Sequence, residues 1–269
     1  MKIHHLNCGS MREITSDRGT LPAVCHCLLL ETDSDGLILV ETGLGTGDVA
    51  RPDETLSQEF LGRAQPVLNP AETALHQVEA LGFDARDVRE IVLTHLDLDH
   101  TGGLPDFPEA RVHVAEAELR AAFQPGPGHP EDRIRYRPAH WAHRPRWVPA
   151  PERRGDAWFG FDAVRPLDGV SAEVFLVPLG GHTQGHSAVA VNTGDHWILH
   201  CGDAYYFHGT LDPDQPQGHP GMDLLEQATE VDRPLRMANQ ARLRELSRRH
   251  STLVTLVSAH DPWELDALT

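Results

Sequence analysis

Along the first hundred residues, aliphatic runs separated by polar turns predict strands. Residues 23–32 (AVCHCLLLET) and 36–43 (GLILVETG) flank the polar turn Asp33-Ser-Asp-Gly36 and read as an antiparallel hairpin. Cys25 and Cys27 share one face of the first strand, with His26 on the other. Asn69 and Pro70 open AETALHQVEALG, which places Leu75, Val78 and Leu81 on one helical face and ends at Gly82. Ile91, Val92 and Leu93 form a short buried strand, and ARVHVAEAELRAAF (110–123) is a strand passing into a helix. Residues 172–207 alternate strands and turns. Residues 232–250 are an amphipathic helix with Leu235, Ala238, Ala241 or Arg242, and Leu246 near one face and the arginines on its solvated side. STLVTLVSAHD closes with a buried strand ending in His260 and Asp261. One stretch breaks the pattern: residues 124–169 are rich in Pro, Arg and aromatics, among them Trp141, Trp147 and Trp158. So long an irregular segment is either a lid over a cleft or a meander that packs its tryptophans onto the body.

Composition narrows the classes. A chain of 269 residues fits a single domain over 1–269, with a lid-like insertion at about 124–169. A formal net charge of −17 argues against nucleic acid, an acidic membrane surface or a polyanionic substrate as partner. No window approaches the roughly 18 consecutive apolar residues of a membrane span, and the start MKIHHLNCGSMREI lacks a secretion signal, so a cytoplasmic location is expected. Cys8, Cys25, Cys27 and Cys201 form no CxxC pair and read as buried reduced thiols.

The chemistry concentrates at IVLTHLDLDHTGG, where His95, Asp97, Asp99 and His100 follow a buried strand. Two carboxylates and two imidazoles packed together in a partly desolvated place call for a cation. Histidine nitrogen and carboxylate oxygen together suit zinc, iron or manganese. Later strand ends offer His182 in GGHTQGH, Asp203 in HCGDA and His260 in SAHD. Seven donors imply two ions, bridged by a carboxylate and by a hydroxide that is nucleophilic at neutral pH.

HxDxDH followed by Thr-Gly-Gly, then Gly-His-Thr-x-Gly-His, Gly-Asp-Ala and a late strand ending in His resembles the metallo-β-lactamase fold superfamily, in its lactonase-like branch. The ordered match runs from about Cys25 to His260. The resemblance implies an α/β fold, a four-layer αβ/βα sandwich of two mixed β-sheets flanked by helices, with the metals at one edge. By motif position it assigns His95, Asp97 and His182 to one ion, Asp99, His100 and His260 to the other, and Asp203 to both. His186 falls beside the site. Two divalent ions are expected, zinc first. Two positions depart from the family pattern HxHxDH: Asp97 stands where histidine is usual, and Glu41 where aspartate is usual. With Asp97, two dications, three carboxylates and one hydroxide leave a neutral centre, a weaker Lewis acid that opens the site to iron or manganese.

The reaction implied is hydrolysis of a small ester or lactone, with Asp99 and Tyr206 as catalytic side chains. Tyr206 lies three residues after Asp203, as does a substrate-facing tyrosine in the lactonase branch; its alternative role is a pocket wall. The aromatic stretch predicts a small-molecule substrate with an apolar or aromatic group. His26, His140, His143 and His208 are candidates for the cleft wall, while His219 reads as a turn residue. Two other functions compete. One is a diiron redox protein resembling flavodiiron proteins, although no flavin-binding segment is expected after Thr269. The other is a non-catalytic, ligand-binding member of the fold. Oligomeric state stays open.

Overall fold

The computed structural model describes residues 1–124, 132–151 and 155–269. The aliphatic runs assemble into two six-stranded sheets. In chain order the strands are β1 (Lys2–Asn7), β2 (Glu13–Ser16), β3 (Gly19–Pro22), β4 (His26–Glu31), β5 (Leu37–Val40), β6 (Val88–Val92), β7 (Arg111–Ala115), β8 (Arg146–Ala150), β9 (Asp156–Trp158), β10 (Phe161–Pro166), β11 (Val174–Pro178), β12 (Ser187–Asn192), β13 (Trp197–His200) and β14 (Val254–Val257). One sheet has the order β1-β4-β5-β6-β7-β8, the other β14-β13-β12-β11-β10-β9, and β2 pairs with β3 as a separate hairpin. Both large sheets are mixed: β5 to β8 pair in parallel and β1, β4 and β5 antiparallel, whereas in the second sheet β13 and β14 alone are parallel.

The alternation of side chains explains the layering. Leu28, Leu30, Ile38, Val40 and Val92 of the first sheet meet Val174, Leu176, Val189, Val191 and Ile198 of the second in a dry seam. The alternate positions Cys27, Leu29, Leu39, Ile91 and Val112 face outward onto a core that includes Val78. On the far side, Ala188, Ala190 and Leu199 lie under Leu243 and Leu246 of the helix Arg233–His250. Because each sheet is covered on both faces, its strands read as unbroken aliphatic runs. Each buried Leu, Ile or Val contributes about 1.5–3 kcal/mol to this arrangement. The fold is the α/β sandwich of mixed sheets flanked by helices that the motif order implies.

Three local expectations shift. The helix expected from residue 71 runs Ala74–Ala80, because Thr73 accepts the His76 N–H and caps it, while Pro70–Glu72 forms a 3-10 turn. Of the face expected for Arg233–His250, Leu246 is buried but Leu235 is 45% exposed and Ala238, Ala241 and Arg242 are exposed too; Arg236, Asn239, Gln240 and Leu243 point inward instead. Those polar groups are satisfied where they lie, Arg236 on Glu226 at 2.7 Å and Glu230 at 2.5 Å, Asn239 Nδ2 donating to Gly180 O at 2.8 Å and Gln240 Nε2 to Ala204 O at 2.9 Å. The helix thereby clamps the two loops that follow β11 and β13.

The third concerns the stretch 124–169: where described, much of it is built into the sheets as the strands β8, β9 and β10, while Ile134 and Arg135 line a cavity; residues 125–131 and 152–154 lie outside the described residues. Its periodicity is weak because β8 and β9 are edge strands, and an edge tolerates Pro149. Trp141 and Trp147 stack with Phe123 on the first sheet's side, and Trp158 packs on Trp197 of the second. Among the described residues no helix is long and apolar enough to cross a membrane.

Candidate metal centre

Because β12 is antiparallel to both β11 and β13, and β14 is parallel to β13, the strands β11, β13 and β14 all run the same way. Their C-terminal ends therefore share one edge, where the loops deliver His182, Asp203 and His260. From the other sheet, β6 leads into His95, Asp97 and the short helix Leu98–Thr101, which carries Asp99 and His100. All seven side chains meet. His182 Nε2 lies 3.1 Å from Asp97 Oδ2 and 3.4 Å from Asp203 Oδ2, and His95 Nε2 lies 3.6 and 3.7 Å from the same two atoms. The other oxygen, Asp203 Oδ1, faces His260 Nε2 at 3.1 Å and His100 Nε2 at 3.3 Å, with Asp99 3.7 Å from His260. Asp203 thus divides its carboxylate between two donor groups.

The donors are aimed inward by what holds their backs. His100 Nδ1–H donates to Glu41 Oε2 at 2.8 Å and His260 Nδ1–H to Val24 O at 2.8 Å, while His95 Nδ1 pairs with Thr94 Oγ1 at 2.8 Å, so each presents Nε2 to the centre. His95 Nε2, His100 Nε2 and Asp203 Oδ1 are buried and, among the described residues, have no hydrogen-bond partner. Buried polar atoms of that kind are rare unless something coordinates them, and imidazole nitrogen with carboxylate oxygen is the donor set of a divalent transition ion. The residues fit such ions. Burial pushes the Asp203 carboxyl up, but the imidazoles of His260, His100, His95 and His182 outweigh it and hold the group well below the usual range. For His100, burial works against the charge, and Asp203 and Glu41 raise its pKa well above the ordinary value.

Several groups support the ligands, two of them, Glu41 and His186, at positions that the motif order already marked. Glu41 sits at φ 63°, a conformation costly for a residue with a Cβ. There its carboxylate accepts the Thr94 N–H at 2.5 Å and the His100 Nδ1–H, bracing the loop on both sides of its ligands. His186 Nδ1–H donates to Leu179 O at 3.0 Å, leaving Nε2 to accept the Asp203 N–H at 3.0 Å. Glu118, buried in the helix Glu116–Phe123, accepts from Leu96 N–H (3.1 Å), Tyr136 O–H (3.1 Å), Thr183 O–H (2.7 Å) and Gly185 N–H (3.0 Å), tying the two ligand loops together. Arg135 reaches Asp97 Oδ1 at 3.4 Å. Neither residue carried a readable signal, since an acid in a helix's first turn is ordinary and DRIRY has no motif. Cys25, buried as expected and not disulfide-bonded, has its sulfur within 4.8 Å of donor atoms of Asp99 and His260.

Asp97, Asp99, Asp203, Tyr206 and His260 lie at one end of a cavity of ≈ 990 Å³. Its walls are apolar, with Met11 and Ile14 at the N-terminal hairpin, Phe60, Ile134, Met222 and Leu225 among them. None of the tryptophans of 124–169 lines it; from that stretch Ile134 and Arg135 do. Of the four histidines expected at the cleft wall none is there either; His140 instead bonds Thr101 Oγ1 and Asp48 Oδ1, both at 2.9 Å, and His208 bonds Asp261 at 2.7 Å. His219 does line it. Tyr206 O–H donates to Asp203 Oδ2 at 3.0 Å, and burial first, then Asp203, raises its pKa well above the ordinary value.

This edge-mounted cluster on a two-sheet sandwich defines a class, and the family model for the metallo-beta-lactamase superfamily matches residues 21–250: the chain belongs to that superfamily. A probable metallo-hydrolase of Mycobacterium tuberculosis is 46% identical over 271 residues, covering 97% of this chain and 81% of the relative. An N-acyl homoserine lactonase of Rhizobium johnstonii is 48% identical over 60 residues, 22% of this chain and 23% of that protein. Among solved structures, an N-acyl homoserine lactone hydrolase with N-hexanoyl-L-homoserine at its catalytic metal centre superposes with a TM-score of 0.67 at 21% identity, covering 99% of this chain and 95% of that one.

Proposed function

We propose that the chain is a dinuclear metal-dependent hydrolase that cleaves a small ester or lactone bearing an apolar group. The observation that carries this is the split of Asp203: one oxygen faces His95 and His182, the other His100 and His260, at the floor of an apolar cavity. His95, Asp97 and His182 would hold one ion, Asp99, His100 and His260 the second, and Asp203 both. Bound divalent ions supply Lewis acidity and a hydrolytic nucleophile at neutral pH. Zinc is the first choice for this donor set, and the third carboxylate, Asp97, leaves iron or manganese open.

The chain's own residues do the rest. The apolar walls take the acyl or aryl part of the substrate and exclude water from the reacting carbonyl. Tyr206, which lines the cavity, would turn its O–H from Asp203 Oδ2 to the carbonyl oxygen as negative charge develops on it. Asp99 also lines the cavity, 15% exposed at its side chain; it would take the proton of the newly added oxygen and pass it to the departing oxygen. The similarity to lactone hydrolases favours a lactone. Elemental analysis of the purified chain, followed by a lactone and ester panel after loading with zinc, manganese or iron, tests the reading. Two ions per chain with turnover of a lactone or ester are expected; a chain that holds no divalent ion refutes it. The carboxylate-rich first group favours one second reading, redox chemistry at iron, which tight iron with peroxide turnover and no hydrolysis would select.

A further inference from the structure

Asp97 is the third carboxylate of the centre, and it sits between two neighbours of opposite kind. Its Oδ2 faces His182 and His95, while its Oδ1, which has no hydrogen-bond partner among the described residues, forms an ion pair with the Arg135 guanidinium at 3.4 Å. Arg135 is 6% exposed; the same Nη1 that faces Asp97 donates to His182 O at 3.4 Å, and its Nη2 donates to Thr229 O. Burying a permanent cation beside a cation-binding cluster is unfavourable unless an anion faces it, and Asp97 is that anion. The backbone contact to His182, the neighbouring donor, couples the guanidinium to the same half of the centre.

We propose that Arg135 is a positioning residue of the first metal group, holding the outer oxygen of Asp97 so that the carboxylate presents one oxygen to the ion and enters the centre as a charge-neutral pair. This rests on the reading of the site as a metal centre. In charge the pair is equivalent to one neutral imidazole, so two ions, Asp99, Asp203 and the Asp97–Arg135 pair carry the net charge of a centre with one carboxylate fewer. Asp97 and Arg135 are therefore exchangeable only together. With a neutral ligand at 97, Arg135 becomes an unpaired buried cation beside a dication and repels it. With a neutral side chain at 135, Asp97 is free to turn both oxygens to the ion.

The test is a double-substitution cycle on the full chain, Asp97→His, Arg135→Met and both together, read by zinc stoichiometry and affinity in chelator competition. Asp97→His alone lowers affinity at the first group, and adding Arg135→Met restores it by at least about tenfold, because removing the unpaired charge relieves the repulsion. In the Asp97 background the same Arg135→Met change gives a smaller gain, because it also removes the partner that fixes the carboxylate. Equal effects of Arg135→Met in both backgrounds, within about twofold, overturn the proposal. If Asp97→His fails to fold, the cobalt spectrum decides: Arg135→Met shifts the absorption of the first cobalt towards higher coordination and Arg135→Lys keeps the wild-type spectrum. A Met variant with the wild-type spectrum and zinc affinity refutes the pairing. Wild-type chain that takes two ions while the cycle is additive rejects this inference alone; wild-type chain that takes none rejects the metal-centre reading and this inference with it.

Discussion

Glu118 offers the sharpest check on how the two ligand loops are held, because its effect is readable without any ion. Its Oε1 accepts from Leu96 N–H and Tyr136 O–H, and its Oε2 from Thr183 O–H and Gly185 N–H. Leu96 lies between His95 and Asp97, and Thr183 follows His182, so one carboxylate joins the two loops that carry the first metal group. The loops are packed hard against this point: a Cβ at Gly185 would come 2.2 Å from Glu118 N. In Glu118→Gln the side-chain NH₂ must replace one oxygen. The two hydroxyls can rotate to accept from it, but Leu96 N–H and Gly185 N–H cannot. Either orientation leaves one buried amide facing a donor. One charge-assisted bond worth about 1.5–3 kcal/mol is lost and one unpaired N–H penalised, a total of about 2–4 kcal/mol. Glu118→Ala orphans all four donors and costs more, on the order of 3–5 kcal/mol. Urea unfolding of chelator-treated protein, with the midpoint and slope fitted together, gives the difference directly. A Glu118→Gln variant within about 0.5 kcal/mol of wild type would show that water or loop relaxation satisfies those donors and that the carboxylate is not what joins the loops.

Tyr206→Phe removes the hydroxyl that lies 3.0 Å from Asp203 Oδ2; kcat on the preferred lactone or ester should fall about 10²–10³-fold with little change in KM. A kcat within about threefold of wild type returns Tyr206 to a wall residue. Glu264 is pushed up to about 8 by burial first and the Asp261 charge second, against an ordinary 4.5. The folded chain therefore keeps a proton that the unfolded chain has lost, so this stability is complete below pH 4.5 and drains away as pH rises through about 8. The stability of wild type should fall across that window by on the order of a few kcal/mol more than that of Glu264→Gln, and parallel pH curves would contradict the shift. Trp141→Ala, which opens a void beside Phe123 and Trp147 and not in the cavity, should cost about 3–5 kcal/mol of stability while leaving KM unchanged; a raised KM at wild-type stability would put the tryptophan back at the substrate.

What could be read along the chain is what depends on short range. The aliphatic runs around Leu28–Leu30 and Leu37–Val40 announce strands buried on both faces, the polar turn between them announces their antiparallel pairing, and closely spaced donors such as His95, Asp97, Asp99 and His100 announce a cation. Residue types and their order in the motifs were enough to name the seven side chains that the tertiary structure brings together. The structure alone decided which groups stand behind them. Glu118, Arg135 and Arg236 are charged residues on or beside helices, ordinary on any linear reading, and they are buried because partners distant in sequence satisfy them: Thr183 and Gly185 for Glu118, Asp97 for Arg135, Glu226 for Arg236. The same holds for the cavity. The tryptophans of 124–169 promised its wall, yet edge-strand pairing took Trp147 and Trp158 into the flanks of the sandwich, Trp141 packs beside Trp147, and the wall came from Ile14, Phe60, Ile134 and Leu225, apolar residues with no motif between them. Hydrophobic period and donor spacing are local properties of a chain, whereas the satisfaction of a buried charge and the closing of a cavity are pairings across space that no window of sequence contains.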